Sequence, residues 1–140
     1  MNATAFRVGA ITWVVTGAGH TVLSFFLPSD PELDAVMRES QIQIGPLDLN
    51  AESLHRGVSL VMGLAVIVVG ALLWMIANTL RTTPDRLRPF GVVALVATVL
   101  ALAIAALWVP GPPLVTFSIA TIAFCTALFA RQPTKATATS

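Results

Sequence analysis

Thr16, His20 and Ser24 stand four residues apart inside an otherwise apolar stretch, TWVVTGAGHTVLSFF. On a helix that spacing lines the three side chains along one ridge. An ionisable ring among so many apolar neighbours is costly in lipid, so it must meet a polar partner or serve a ligand. A second group follows in LHRGVS, where His55, Arg56 and Ser59 lie close together in the chain. An imidazole can accept a ligand, hold a metal or move a proton, and a guanidinium beside it can coordinate an anion. Thr16, His20, Ser24, His55, Arg56 and Ser59 are therefore the candidate ligand-binding residues. Each also has a plainer reading. His20 can serve as a neutral ring bonding one helix to another. Arg56 can snorkel to headgroups or pair with an acid of the first loop.

Haem is the cofactor these residues bring to mind, since the chain has two histidines and both belong to the same half. His20 lies about 10 Å below the outer end of the first apolar segment, at about 1.5 Å per residue. His55 lies near the surface. Two axial ligands to one iron need similar depths, so the mismatch leaves haem a minority reading, open mainly to a homo-oligomer. Otherwise no cofactor is expected, and no metal site. The single cysteine, Cys125, excludes an internal disulfide or a two-thiol relay. No paired carboxylates, nucleophile elbow, phosphate loop or metal-spaced cluster occurs, and the apolar segments hold no carboxylate or lysine. The leading function class is a non-enzymatic bundle that binds a small molecule or a partner. The alternative is a redox protein or enzyme using His20 with His55 and Arg56, taking haem or a quinone-like ligand.

The elements that must position these groups follow from composition. Of 140 residues, 56% are hydrophobic and 11% charged, against about 25% charged in soluble domains. Four apolar segments run at about 6–27, 57–80, 90–109 and 114–130, each near the roughly 20 residues that a helix needs to cross the hydrocarbon. Backbone groups in lipid must be satisfied internally, so all four are read as helices. The first has a single Arg7 at its start and outruns the about 7–15 residues of a signal-peptide core, so it is read as a retained span. The fold class is an all-α membrane protein. It is an up-down bundle of four transmembrane helices, one domain over 1–140, with a short external surface helix in the first loop. Lipid is its main partner, a homo-oligomer or a membrane protein is a further one, and no basic cluster of nucleic-acid-binding size is present.

Orientation rests on the basic residues. Arg7, Arg81, Arg86, Arg88, Arg131 and Lys135 fall on one side and only Arg38 and Arg56 on the other. The positive-inside rule places both termini, including the tail 131–140, in the cytoplasm of an inner-membrane protein. The first loop, 28–54, is then external. At 27 residues it is longer than a simple connection, with six acids against one base. Ser29 and Glu32 have capping-box spacing with Pro31 between, so a surface helix is expected at 31–39. QIQI alternates like an extended segment, Gly45-Pro46 turns the chain, and Asn50 can cap the second long helix. This loop is either a solvated connection or a lid over the outer end. Pro84 and Pro89 are expected to stop and restart helices in RTTPDRLRP.

Wound as a helix, the first span puts Gly9, Thr12, Trp13, Thr16, Gly17, Gly19, His20 and Ser24 on one half, and Ile11, Val14, Val15, Val22, Phe25 and Phe26 on the other. Small residues recur on the remaining spans: Ser59, Gly63 and Gly70, then Ala94, Ala97, Ala101 and Ala105, then Ser118, Thr121 and Cys125. They suit close helix packing in lipid. Tighter packing is expected in the inner half. Gly19-His20, MRES and HRGVSLVMGL together resemble uncharacterised four-helix bacterial inner-membrane proteins, DoxX-like in layout. That resemblance covers about residues 10 to 80. It implies a four-helix bundle and carries no activity, and the chain lacks the several cysteines of a redox role.

Overall fold

The computed structural model describes residues 1–26, 30–108 and 111–130. In chain order the elements are α1 (Ala3–Phe26), α2 (Pro31–Glu39), β1 (Gln41–Ile44), β2 (Leu47–Asn50), α3 (Ala51–Thr79), α4 (Pro84–Trp108) and α5 (Pro112–Phe129). Among the described residues four helices, α1, α3, α4 and α5, are long and apolar enough to cross a membrane. The chain is thus the all-α, multi-pass bundle that its composition demands. Leu27, Ser29, Val109 and the tail with Arg131 and Lys135 lie outside the described residues.

Local chemistry sets the boundaries. Asn50 ends β2 and caps α3, its side chain accepting from the Ser53 N–H at 2.7 Å. With no linker between strand and helix, α3 begins six residues before the apolar run that starts at Gly57. Asp30 caps α2 by accepting from the Glu32 N–H at 2.9 Å, with Pro31 in the first turn. The expected cap Ser29 falls outside the described residues. Pro84 opens α4 as expected, but Pro89 does not interrupt it. A proline so near the start removes one backbone bond, to the Asp85 carbonyl, at the polar end of the span where water can replace it. The extended segment QIQI finds an antiparallel partner in LDLN, which periodicity had not singled out. Gly45 takes φ +60°, the left-handed conformation that a two-residue hairpin asks of its first turn position.

Helix α1 is the hub. It packs along α3 on one side and α5 on the other, and α5 packs on α4. The consecutive helices α3 and α4, although joined by the short turn at residues 80–83, touch only slightly. Small residues explain the choice of neighbours. A Cβ on Gly70 of α3 would stand 2.7 Å from the Val14 backbone nitrogen and 2.9 Å from the Ala10 carbonyl oxygen. One on Gly17 would stand 2.7 Å from the Gly63 oxygen. The two backbones are therefore in direct contact, as small residues permit in lipid. Val14, placed by the helical wheel among the outward residues, is half-buried here because α3 comes so close.

Against α5 the fit is knob into gap. The Phe124 ring fills the space beside Gly9 and meets Phe6 edge-on, centroids 5.3 Å apart. Trp13 packs edge-on against Phe117 at 5.5 Å and reaches across to α4, where its indole N–H donates to Thr98 Oγ at 2.9 Å. Thr98 is fully buried and passes its own hydrogen to the Ala94 carbonyl at 2.6 Å. Both polar groups are thus satisfied where lipid offers no partner. Phe6, Leu87, Phe124, Ala77 and Ala127, all at the end that carries the termini, are wholly buried. At the other end Phe25, Phe26, Leu107 and Trp108 are exposed. Wholly buried side chains thus concentrate toward the terminal end, although Phe129 there is as exposed as Trp108 at the other.

Candidate functional site

His20 and Ser24 of α1 face Ser59 of α3 at the loop end. His20 Nε2 lies 3.0 Å from Ser59 Oγ, and Ser59 Oγ lies 2.8 Å from Ser24 Oγ. Gly63, one turn below Ser59, makes this meeting feasible. A Cβ there would contact Thr21 Oγ1 and stand 3.4 Å from the His20 ring. The missing side chain lets α1 approach until an imidazole spans the gap. His20 and Ser59 are half-buried and Ser24 is exposed. The cluster lies about 3–9 Å below the last described turn of α1, at about 1.5 Å per residue.

The hydrogens in this cluster can be assigned by elimination. Ser24 Oγ is also 2.7 Å from the carbonyl oxygen of His20, which has no hydrogen to give, so Ser24 donates there. Ser24 must then accept from Ser59, which spends its only hydroxyl hydrogen. Ser59 is left to accept from His20, so Nε2 carries a proton whether the ring is neutral or charged. The chain runs His20 to Ser59 to Ser24 to the backbone. Two chemical consequences follow. His20 is not placed to take a proton from Ser59, so the pair is not an activated nucleophile of the serine–histidine type. In the neutral ring the remaining lone pair sits on Nδ1, for which no hydrogen-bond partner appears among the described residues.

This assignment is testable without any ligand. In alkaline buffer, nitrogen NMR of histidine-labelled protein in lipid discs should show His20 as the Nε2–H tautomer, with His55→Gln used for assignment. Ser24→Ala frees the Ser59 hydrogen to point at His20, and the Nδ1–H tautomer should then become the major neutral form. A wild-type ring already protonated on Nδ1 would overturn the assignment.

The other sequence candidates go elsewhere. Thr16 is buried, with its hydroxyl donating to the Thr12 carbonyl at 2.7 Å, one turn deeper on the same helix. Arg56 pairs with Glu52 at 2.7 Å, and Glu52 also takes Arg38 of α2 at 2.8 Å. His55 is exposed and joins neither group. Of the six candidates the fold brings together His20, Ser24 and Ser59. Glu52 and Arg38 were not among the candidates. The i,i+4 spacing of Glu52 and Arg56 could have indicated the first, but nothing local indicated Arg38. Glu52 is mostly buried while both arginines are largely exposed, so this carboxylate clasps α2 onto α3.

Among the described residues no three His, Cys, Asp or Glu side chains gather closely enough to hold a metal ion. Cys125 is a free, half-buried thiol of α5. Two shallow apolar grooves lie apart from the His20 cluster. One is lined by Ile11, Val14, Ala71 and Trp74, and the other by Leu72, Met75, Ile76, Thr79, Leu80 and Phe90. Comparison of the chain with protein-family models, curated proteins and solved structures finds no match.

Proposed function

We propose that this chain is a non-enzymatic, multi-pass protein of the bacterial inner membrane, with both termini cytoplasmic, that binds a small molecule at the outer end of α1 and α3. The ligand is an amphiphile whose polar end donates a hydrogen bond, as a hydroxyl does, and His20 is its main contact. One observation carries the reading: the hydrogen-bonded chain from His20 to Ser59 to Ser24 leaves Nδ1 as an acceptor at the loop end of the bundle. Ser24 and Ser59 act as positioning residues that hold the ring in one tautomer. The exposed Ser24 marks the side from which a ligand in the outer leaflet could approach. The six-to-two distribution of basic residues supports the orientation.

Native mass spectrometry of the detergent-purified protein is the deciding experiment. Wild-type protein should carry a co-purifying small-molecule adduct, and His20→Leu should lose it at least about tenfold, the worth of one charge-free hydrogen bond with its orientation. Arg56→Gln, outside the cluster, should keep it. Thermal unfolding of both variants separates lost binding from lost folding. An adduct that survives His20→Leu in a folded protein would leave His20 a fastener between helices. The same unprotonated nitrogen suits an axial haem ligand, so a Soret band in the purified protein would replace this reading with the redox alternative.

A further inference from the structure

The hairpin is sharply two-faced. In its register Ile42 pairs with Leu49 and Ile44 with Leu47, while Gln41 pairs with Asn50 and Gln43 with Asp48. Paired residues share a face and successive residues alternate, so one face is wholly apolar and the other wholly polar. At the base of the apolar face Ile42 and Leu49 are half-buried. At its tip Ile44 and Leu47 are 49% and 59% exposed. Among the described residues nothing closes over this tip.

The height of the hairpin says what does. Its last residue, Asn50, is the cap of α3, and the Ala51 N–H is bonded to the Ser40 carbonyl at 3.1 Å, so strand and helix move as one. Helix α3 has 29 residues, about 43 Å at about 1.5 Å each, against about 30 Å of hydrocarbon. The six residues before Gly57 therefore stand about 9 Å clear of the hydrocarbon, within or just above the headgroup layer. A strand of four residues reaches about 13 Å, enough to bring the tip back to the hydrocarbon edge. The unpaired edges of a two-stranded ribbon could not be satisfied deeper than that. The polar face carries only one charge, Asp48, and suits water above. Leu33 and Val36 of α2, a helix in contact with β2, are likewise exposed apolar residues.

We propose that the hairpin lies on the bilayer surface with its apolar face down, Ile44 and Leu47 dipping into the headgroup–acyl boundary. The partner is the lipid surface itself, and the first loop is an interfacial float fixed to α3 rather than a lid standing in water.

Spin labels test the idea in phospholipid vesicles. Single cysteines are placed at Ile44, Leu47, Gln43 and Asp48 in a Cys125→Ser background, with Cys125→Ala as the second background if the first is unstable. Labels at 44 and 47 should collide with a water-soluble nickel chelate about threefold less than labels at 43 and 48, while staying open to oxygen, as for an interfacial amphipathic element. Equal nickel access at all four positions would place the hairpin in water and overturn the proposal. Shielding of 44 and 47 from both nickel and oxygen would mean that a protein covers the face, a second copy or a partner, and would also overturn it.

Discussion

Gly70→Leu should push α1 off α3 and lower bundle stability by about 3 kcal/mol, the upper end of what overpacking costs. The reason is which atoms stand in the way. A Cβ at this position meets the backbone of Val14 and Ala10 as well as the Val14 Cγ2 methyl, so a rotamer change of Val14 alone cannot relieve it. Relief requires the helices to separate. The 3.0 Å contact between His20 and Ser59, which depends on the same close approach, should be lost with it. Gly57→Leu is the matched control on the same helix, because a Cβ there meets nothing within 4 Å. That variant should be neutral or slightly stabilising, by up to about 1 kcal/mol of helix propensity. Thermal unfolding in detergent measures both. A Gly70→Leu protein as stable as the wild type would show that α1 and α3 do not touch there.

The second large effect is expected at Phe124. Its ring is wholly buried, against Phe6 on one side and the gap beside Gly9 on the other. In a soluble protein, truncating such a ring to alanine costs about 3–5 kcal/mol, part of it the transfer of apolar surface from water. Lipid tails are as apolar as the core, so that part is absent here and the cavity part remains. At about 24 cal/mol per Å³ and on the order of 100 Å³ emptied, Phe124→Ala should cost about 2.4 kcal/mol. The same geometry predicts a coupling. Gly9→Leu should destabilise the wild type, where its Cβ would stand 2.7 Å from the ring. In the Phe124→Ala background the added side chain should instead fill the void. A double-mutant cycle by reversible unfolding in mixed detergent reads the interaction, and simple additivity would refute the packing described.

The sequence by itself determined most of what depends on one segment at a time, Pro89, which α4 runs through without a break, being the exception. Apolar length sets four spans, Pro31 starts the surface helix, Asn50 caps α3, and four-residue spacing puts His20 and Ser24 on one side of α1. These are properties of a single chain segment in lipid, readable from period and solvent. Partners were another matter. That α1 would pack on α5, while the consecutive α3 and α4 would barely touch, depended on how Gly9 and Phe124, or Gly70 and Val14, fit together in space. Hydropathy carries no trace of such choices, because in lipid the outer faces are as apolar as the inner ones. Val14 illustrates this, looking outward on a wheel and lying half-buried in the fold. Ser59 became the partner of His20 only through the depth at which two helices settle, 39 residues apart in the chain. LDLN likewise became a strand only because QIQI was there to pair with it. Local pattern decides what each segment is, whereas complementary shape between distant segments decides what it meets.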